Sequence, residues 1–137
     1  MLNLWRNPSD EVGKLFLRLA VGGLMLFHGI GKIAHGIGFI EHALQAIGLP
    51  GFIGYGVYVA EVIAPMLILL GYQTRAASLV VAFDMLVAVA LFHRQDIFLI
   101  RESGALGVEI EAFFFIAALA LFFMGTGKYR VTISDES

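Results

Sequence analysis

Cysteine is absent from this 137-residue chain. That removes disulfides, iron–sulfur clusters, thiol relays and cysteine-ligated zinc in one step, while saying little about compartment. Charge is scarce as well: 15% of the residues are charged, against roughly 25% in ordinary soluble chains. The net charge is −2, so there is no basic excess of the kind nucleic-acid binding relies on. What fills the chain is apolar: 59% hydrophobic residues before 16 glycines are counted, with a mean hydropathy of +0.86. A domain of about 150 residues hides only some 70% of its unfolded surface, so this load could not be buried in water. A soluble enzyme domain, a nucleic-acid binder and a disordered tail are excluded. A membrane protein is left.

The apolar residues fall into four blocks, approximately 12–35, 52–71, 76–92 and 104–124. Each has about the length a helix needs to cross a 30 Å hydrocarbon core. None alternates as a barrel strand would, and a spanning segment must satisfy its own backbone, so helices are predicted. Turn chemistry separates the blocks: Gly48-Leu49-Pro50-Gly51, then Gly71-Tyr72-Gln73-Thr74-Arg75, then a charged connector from His93 to Ser103, and finally Gly125-Thr126-Gly127-Lys128-Tyr129. Short links make antiparallel neighbours. The predicted fold is all-α, a transmembrane up-down four-helix bundle forming a single domain over residues 1–137, with room for a short interfacial helix between residues 36 and 51. The first block has a basic start, but no small-x-small cleavage site follows it, so it is read as a retained helix.

Basic residues set an expected orientation. Arg6, Lys14, Arg18, Arg75, Lys128 and Arg130 fall on the side of the two termini, and Lys32, Arg94 and Arg101 on the other. Both termini are therefore expected in the cytoplasm.

Ionisable groups at bilayer depth cost a few kcal/mol each, which makes them candidates for function or for a specific partner. Six stand out: His28, Lys32, Glu61, Asp84, Glu109 and Glu111. Glu61 and Asp84 are central in their blocks, and the other four lie towards the outer half of the bilayer in the orientation above. On the first helix, at about 100° per residue with His28 as zero, Lys32 falls near 40°, Lys14 near 40°, His35 near −20° and Arg18 near 80°. Gly22, Gly29 and Gly36 recur every seven residues beside that arc. Glycines let membrane helices approach closely, so the polar arc is expected to face the bundle. Pro65 offers no N–H to the carbonyl of Glu61.

Lys32 needs a counter-ion, and Glu61, Asp84 and Glu109 are the available carboxylates. Glu109 and Glu111 differ by about 200° around their helix; Glu109 is favoured for the inner side. Such a cluster could relay protons or hydrogen-bond a polar head group such as a quinone carbonyl. The same residues have plainer uses, because Lys32 and Arg18 can snorkel and the carboxylates can be glue between helices. Metal chemistry has weaker support. No Glu precedes a His at the spacing of a di-iron bundle; His28 with His93 as haem ligands, or His28, Glu61 and Glu109 around one metal ion, lack a motif. No metal is expected. The Gly125–Lys128 run lacks the spacing of a phosphate loop.

Taken in order, these residues resemble the DoxX family of small four-helix membrane proteins. Arg18-Leu19-Ala20-Val21-Gly22 leading into His28-Gly29-Ile30-Gly31-Lys32 is similar to the family's first-helix signature, and Glu61 with Leu69-Leu70-Gly71 and Thr74-Arg75 to its second helix and link. An acidic residue opening the last helix and the terminal Gly-x-Gly-basic-aromatic run also fit; here Gly125-Thr126-Gly127-Lys128-Tyr129 stands where the family usually reads Gly-Pro-Gly-Arg-Tyr/Phe. The resemblance implies a bacterial inner-membrane protein, with links to quinone-reducing thiosulfate oxidation and to complexes with redox and oxidative-stress partners. No thiosulfate chemistry is legible in the residues themselves. The leading expectation is a membrane component that binds a quinone or another small ligand through His28, Lys32, Glu61, Asp84 and Glu109, with Arg18, Arg75 and Glu111 secondary, beside a redox-enzyme partner subunit. A proton, ion or solute transporter and a non-catalytic anchor are the alternatives. Four short helices could also pair with a second copy.

Overall fold

A computed structural model of the chain describes residues 7–131; Arg6, counted with the basic side above, lies outside them. The first helix, α1 (Pro8–His35), starts ahead of the predicted Val12 because its first turn is well supplied. The Asn7 side chain accepts the Ser9 N–H at 3.2 Å, Pro8 occupies the first position, and Asp10 and Glu11 face the positive end of the helix. It stops where Gly36 takes φ 80° and returns its N–H to the Lys32 carbonyl at 2.8 Å. The interfacial helix is α2 (Gly38–Ala46), whose Ile40 and Leu44 bury with Ile37 against Val57, Tyr58 and Leu91.

The second long helix, α3 (Gly51–Leu70), is helical throughout but not uniform. It opens as a 3-10 turn over Gly51–Tyr55, widens to a π turn over Val59–Ile63 and ends as α-helix over Ala64–Leu70. The π turn follows from Pro65. Proline cannot donate to the Glu61 carbonyl, and the Ala64 N–H bonds Val59 rather than Ala60. Gly71, at φ 76°, ends the helix and allows the tight link to α4 (Thr74–Phe92).

The last helix, α5 (Glu109–Met124), begins five residues after the predicted Gly104. Gly104 sits at φ 89° in a turn in which the Arg101 N–H bonds Ala105 O at 2.8 Å, and Ile100 bridges Leu106. Those bonds commit the backbone to a hairpin-like connector. At 1.5 Å per residue α5 is about 24 Å long and α1 about 42 Å.

The helices pack in the ring order α1–α3–α4–α5, with α5 closing back on α1. The fold is thus the all-α membrane bundle that the four apolar blocks predict. Its core is Val21 and Met25 of α1, Ala64 and Ile68 of α3, Ala77, Val81, Ala82 and Met85 of α4, and Phe114, Ala117, Ala118 and Leu121 of α5. Five of these twelve are alanine, so close backbone approach does the packing, as expected where lipid removes the hydrophobic drive between helices. Many of the large apolar side chains point the other way: Phe27 and Phe113 are 73% exposed and Phe123 75%. α1, α3 and α4 are each long and apolar enough to cross a membrane.

Candidate functional site

α1 and α3 touch through glycine. A Cβ on Gly29 would collide with the carbonyl of Glu61, and one on Gly22 would come within 2.9 Å of the Pro65 carbonyl. The seven-residue glycine spacing therefore lays α1 directly on the π turn of α3. One turn beyond Gly29, Lys32 reaches the Glu61 carboxylate in a direct ion pair. Glu61 is only 3% exposed and Lys32 is half-buried, so the pair's attraction is less screened than at a surface. Tyr58, from the same stretch of α3, donates its hydroxyl to the Lys32 carbonyl at 3.2 Å and fixes the end of α1.

α4 adds a second acid. The Asp84 carboxyl abuts Glu61 and feels both Glu61 and Lys32. Its Oδ2 is buried and has no hydrogen-bond partner. The cluster thus holds one ammonium and two carboxyl groups, and the buried Asp84 oxygen has a carboxyl as its polar neighbour, so that the two acids can bond only through a shared proton.

The other predicted residues take different places. His28 is exposed, one turn before Lys32, and sets its ring edge-on against Phe114 with centroids 5.9 Å apart. It flanks the cluster without a hydrogen bond among the described residues. Glu109 is exposed and apart from the cluster. The inward acid of α5 is Glu111, which lies 3.1 Å from His93 Nε2, while His93 Nδ1 lies 3.3 Å from Asp96. Sequence reasoning missed this trio and the hydroxyl of Tyr58; the His93-x-x-Asp96 spacing at a helix end was the available signal. Among the described residues no three such side chains are arranged to hold a metal ion.

Arg18 and Arg75 are at the opposite end. Arg18 is 2% exposed and spends its guanidinium on backbone carbonyls: Nε on Ile68 at 2.9 Å, Nη2 on Leu69 at 2.9 Å, and Nη1 on Thr126 at 3.3 Å and on Tyr129. Ile68 and Leu69 are in the last turn of α3, where only the Gly71 N–H, 3.2 Å from Ile68 O, supplements the guanidinium. Arg18 caps α3 and pins the segment after α5 to it. Glu11 helps, accepting the Lys128 N–H at 2.7 Å while Lys14 lies 3.4 Å away.

A ring of helices with its apolar side chains outward and a lysine–carboxyl cluster between α1, α3 and α4 defines a small integral membrane protein. The chain belongs to the DoxX family, whose model matches residues 13–94. That stretch contains Arg18, Lys32, Glu61 and Asp84, and ends before α5. The chain is 32% identical over 83 residues to the protein called "Putative oxidoreductase CatD" of Bacillus subtilis (strain 168), covering 61% of each. It is 33% identical over 84 residues to "Inner membrane protein YqjF" of Escherichia coli (strain K12), covering 61% of this chain and 64% of that one. The chain thus spans a little over three-fifths of these relatives. No solved structure matches it significantly.

Proposed function

We propose that the Lys32–Glu61–Asp84 cluster binds the polar head of a quinone, or of a similar small carbonyl compound, in a bacterial inner membrane, and exchanges a proton with it. The observation that carries this reading is Asp84 Oδ2, buried without a partner beside an ion pair. Leaving such an oxygen unpaired costs about 1–3 kcal/mol, which the hydroxyl of the reduced ligand, a quinol, would recover. Lys32 supplies the donor for a carbonyl, Asp84 or Glu61 the proton, and His28 with Phe114 an aromatic edge beside the head group. Electrons would come from a partner redox protein, in keeping with the oxidoreductase name carried by one relative. Both termini are taken as cytoplasmic on the distribution of basic residues.

The test is extraction of the purified protein with organic solvent and analysis for quinone, together with thermal melts with and without added quinone. A co-purifying quinone, and a rise in Tm that Asp84→Asn abolishes, is the expected result. No bound quinone and no change in Tm would sink the proposal. A second reading, a proton or small-ion relay, draws on the π turn at Glu61, because interrupted helices line many membrane paths. Proteoliposome pH flux that is lost in Glu61→Gln and Asp84→Asn would favour it; absence of flux in the unaltered protein would end it.

A further inference from the structure

A concavity lies at the other end of the bundle from the lysine–carboxyl cluster, where the start of α1, the α3–α4 link and the segment after α5 meet. It is an open cleft of about 910 Å³, and Lys14, Arg75, Lys128 and Arg130 stand around it with no carboxylate among its lining residues. Lys14 is partly matched by Glu11. Arg75 and Arg130 form no ion pair among the described residues, and Arg75 lays its guanidinium along Gly125, 3.0 Å from where a Cβ would be.

The floor of the cleft is unusually polar for a membrane helix. α4 starts there from Gln73 at φ 50°, with no side-chain cap, and its first intrahelical bond is from the Ala77 N–H. The N–H groups of Thr74, Arg75 and Ala76 therefore have no acceptor among the described residues. Independently, the Thr74 side chain, 1% exposed, has a hydroxyl oxygen with no hydrogen-bond partner. The wall opposite is held firmly. Arg18 bonds Thr126 and Tyr129, and the Val131 N–H bonds Leu70 O at 2.9 Å. Tyr72, Met124 and Val131 put an exposed apolar rim on the same cleft.

Unbonded N–H groups at a helix start, a free buried hydroxyl and four cations suit a phosphate oxyanion. A rim of apolar side chains beside a basic pocket at a helix end suits the lipid that carries one. We infer that this cleft binds the phosphate of an anionic phospholipid head group, with Arg75, Arg130, Lys128 and Thr74 as its contacts. The inference is independent of the quinone reading, since it uses none of the residues of that cluster.

Phosphatidylglycerol titrated into the purified protein in a neutral detergent should leave a one-to-one adduct in native mass spectra under conditions that strip phosphatidylcholine. R75Q/R130Q should weaken that adduct roughly thirtyfold and Thr74→Val about fivefold, with Thr74→Val leaving the lipid-free Tm in place. If the double variant does not fold, Lys128→Gln carries the test with a loss of about fivefold. Inorganic phosphate should compete only weakly. Tight phosphate binding with no preference among lipids would overturn the lipid and leave a soluble phosphate ester as the ligand. Equal retention of the two lipids without phosphate binding, or full affinity in R75Q/R130Q, overturns the site.

Discussion

Arg18 and Lys32 are both carried by α1 and both turned into the bundle, about 21 Å apart along the axis, yet their surroundings differ in kind. Arg18 faces carbonyls of the peptide backbone, which cannot take up a proton or leave. Lys32 faces Glu61 with Asp84 beside it, groups that can change charge, and one oxygen there is left unsatisfied. A buried cation surrounded by fixed dipoles is a structural fastener. One surrounded by acids is a place where protons and ligands can be exchanged. Burial alone does not separate the two; the chemistry of the partners does.

Variants can break this contrast. The largest effect is expected for Arg18→Met, which takes the guanidinium from the Ile68, Leu69, Thr126 and Tyr129 carbonyls and leaves the segment after α5 held only by the Val131–Leu70 and Lys128–Glu11 bonds. A loss on the order of 3–5 kcal/mol should appear as aggregated or low-melting protein in detergent. Arg18→Lys should rescue little, because an ammonium cannot reach carbonyls on two segments as a planar fork does. Lys32→Met comes next, since it leaves Glu61 and Asp84 buried without their cation. Removing one partner of a buried pair costs about 3–5 kcal/mol, whereas removing both can be nearly neutral. The Lys32→Met/Glu61→Met double variant should therefore melt higher than Lys32→Met alone; a double variant as unstable as the single one would mean that the pair is not what Lys32 contributes.

Gly29→Ala should cost about 1–3 kcal/mol, because the added methyl meets the Glu61 backbone rather than a flexible side chain. It should also abolish any rise in Tm with quinone by moving Lys32 off Glu61. The smallest stability effect belongs to Asp84→Asn, within about 1 kcal/mol, since an amide fits the same space and can still donate to the Glu61 carboxylate. Its expected signature is unchanged melting with lost ligand response. Asp84→Asn that unfolds the protein would place Asp84 with Arg18 on the structural side.

Much of the architecture was legible because the bilayer imposes a length on each helix and the apolar blocks obey it. The glycine face of α1 was legible too, since seven-residue spacing brings Gly22 and Gly29 to one side. The need of Lys32 for a counter-ion pointed to Glu61. Less visible was everything that depends on backbone rather than side chains. Nothing in the sequence marks the Ile68, Leu69, Thr126 and Tyr129 carbonyls as the partners of Arg18. The start of α5 was misjudged because apolar content around Gly104 outweighed the turn chemistry that decides the backbone there. Glu109 and Glu111 have the same composition context, and only the placement of His93 distinguishes them.

The unequal helices have a consequence for the surrounding lipid. On one side of the ring the membrane meets α1, about 42 Å long; on the next it meets α5, about 24 Å long. A hydrocarbon layer of about 30 Å matches neither. The excess length of α1 is polar, with Asp10 and Glu11 in its first turn and Lys32 and His35 in its last, which suits those ends to the head-group layer. The seam between the tall helix and the short one is where His28 meets Phe114, a few residues from Lys32. If the proposed head-group site is there, a lipid-soluble molecule would reach it along this seam, beside the shortest of the four long helices.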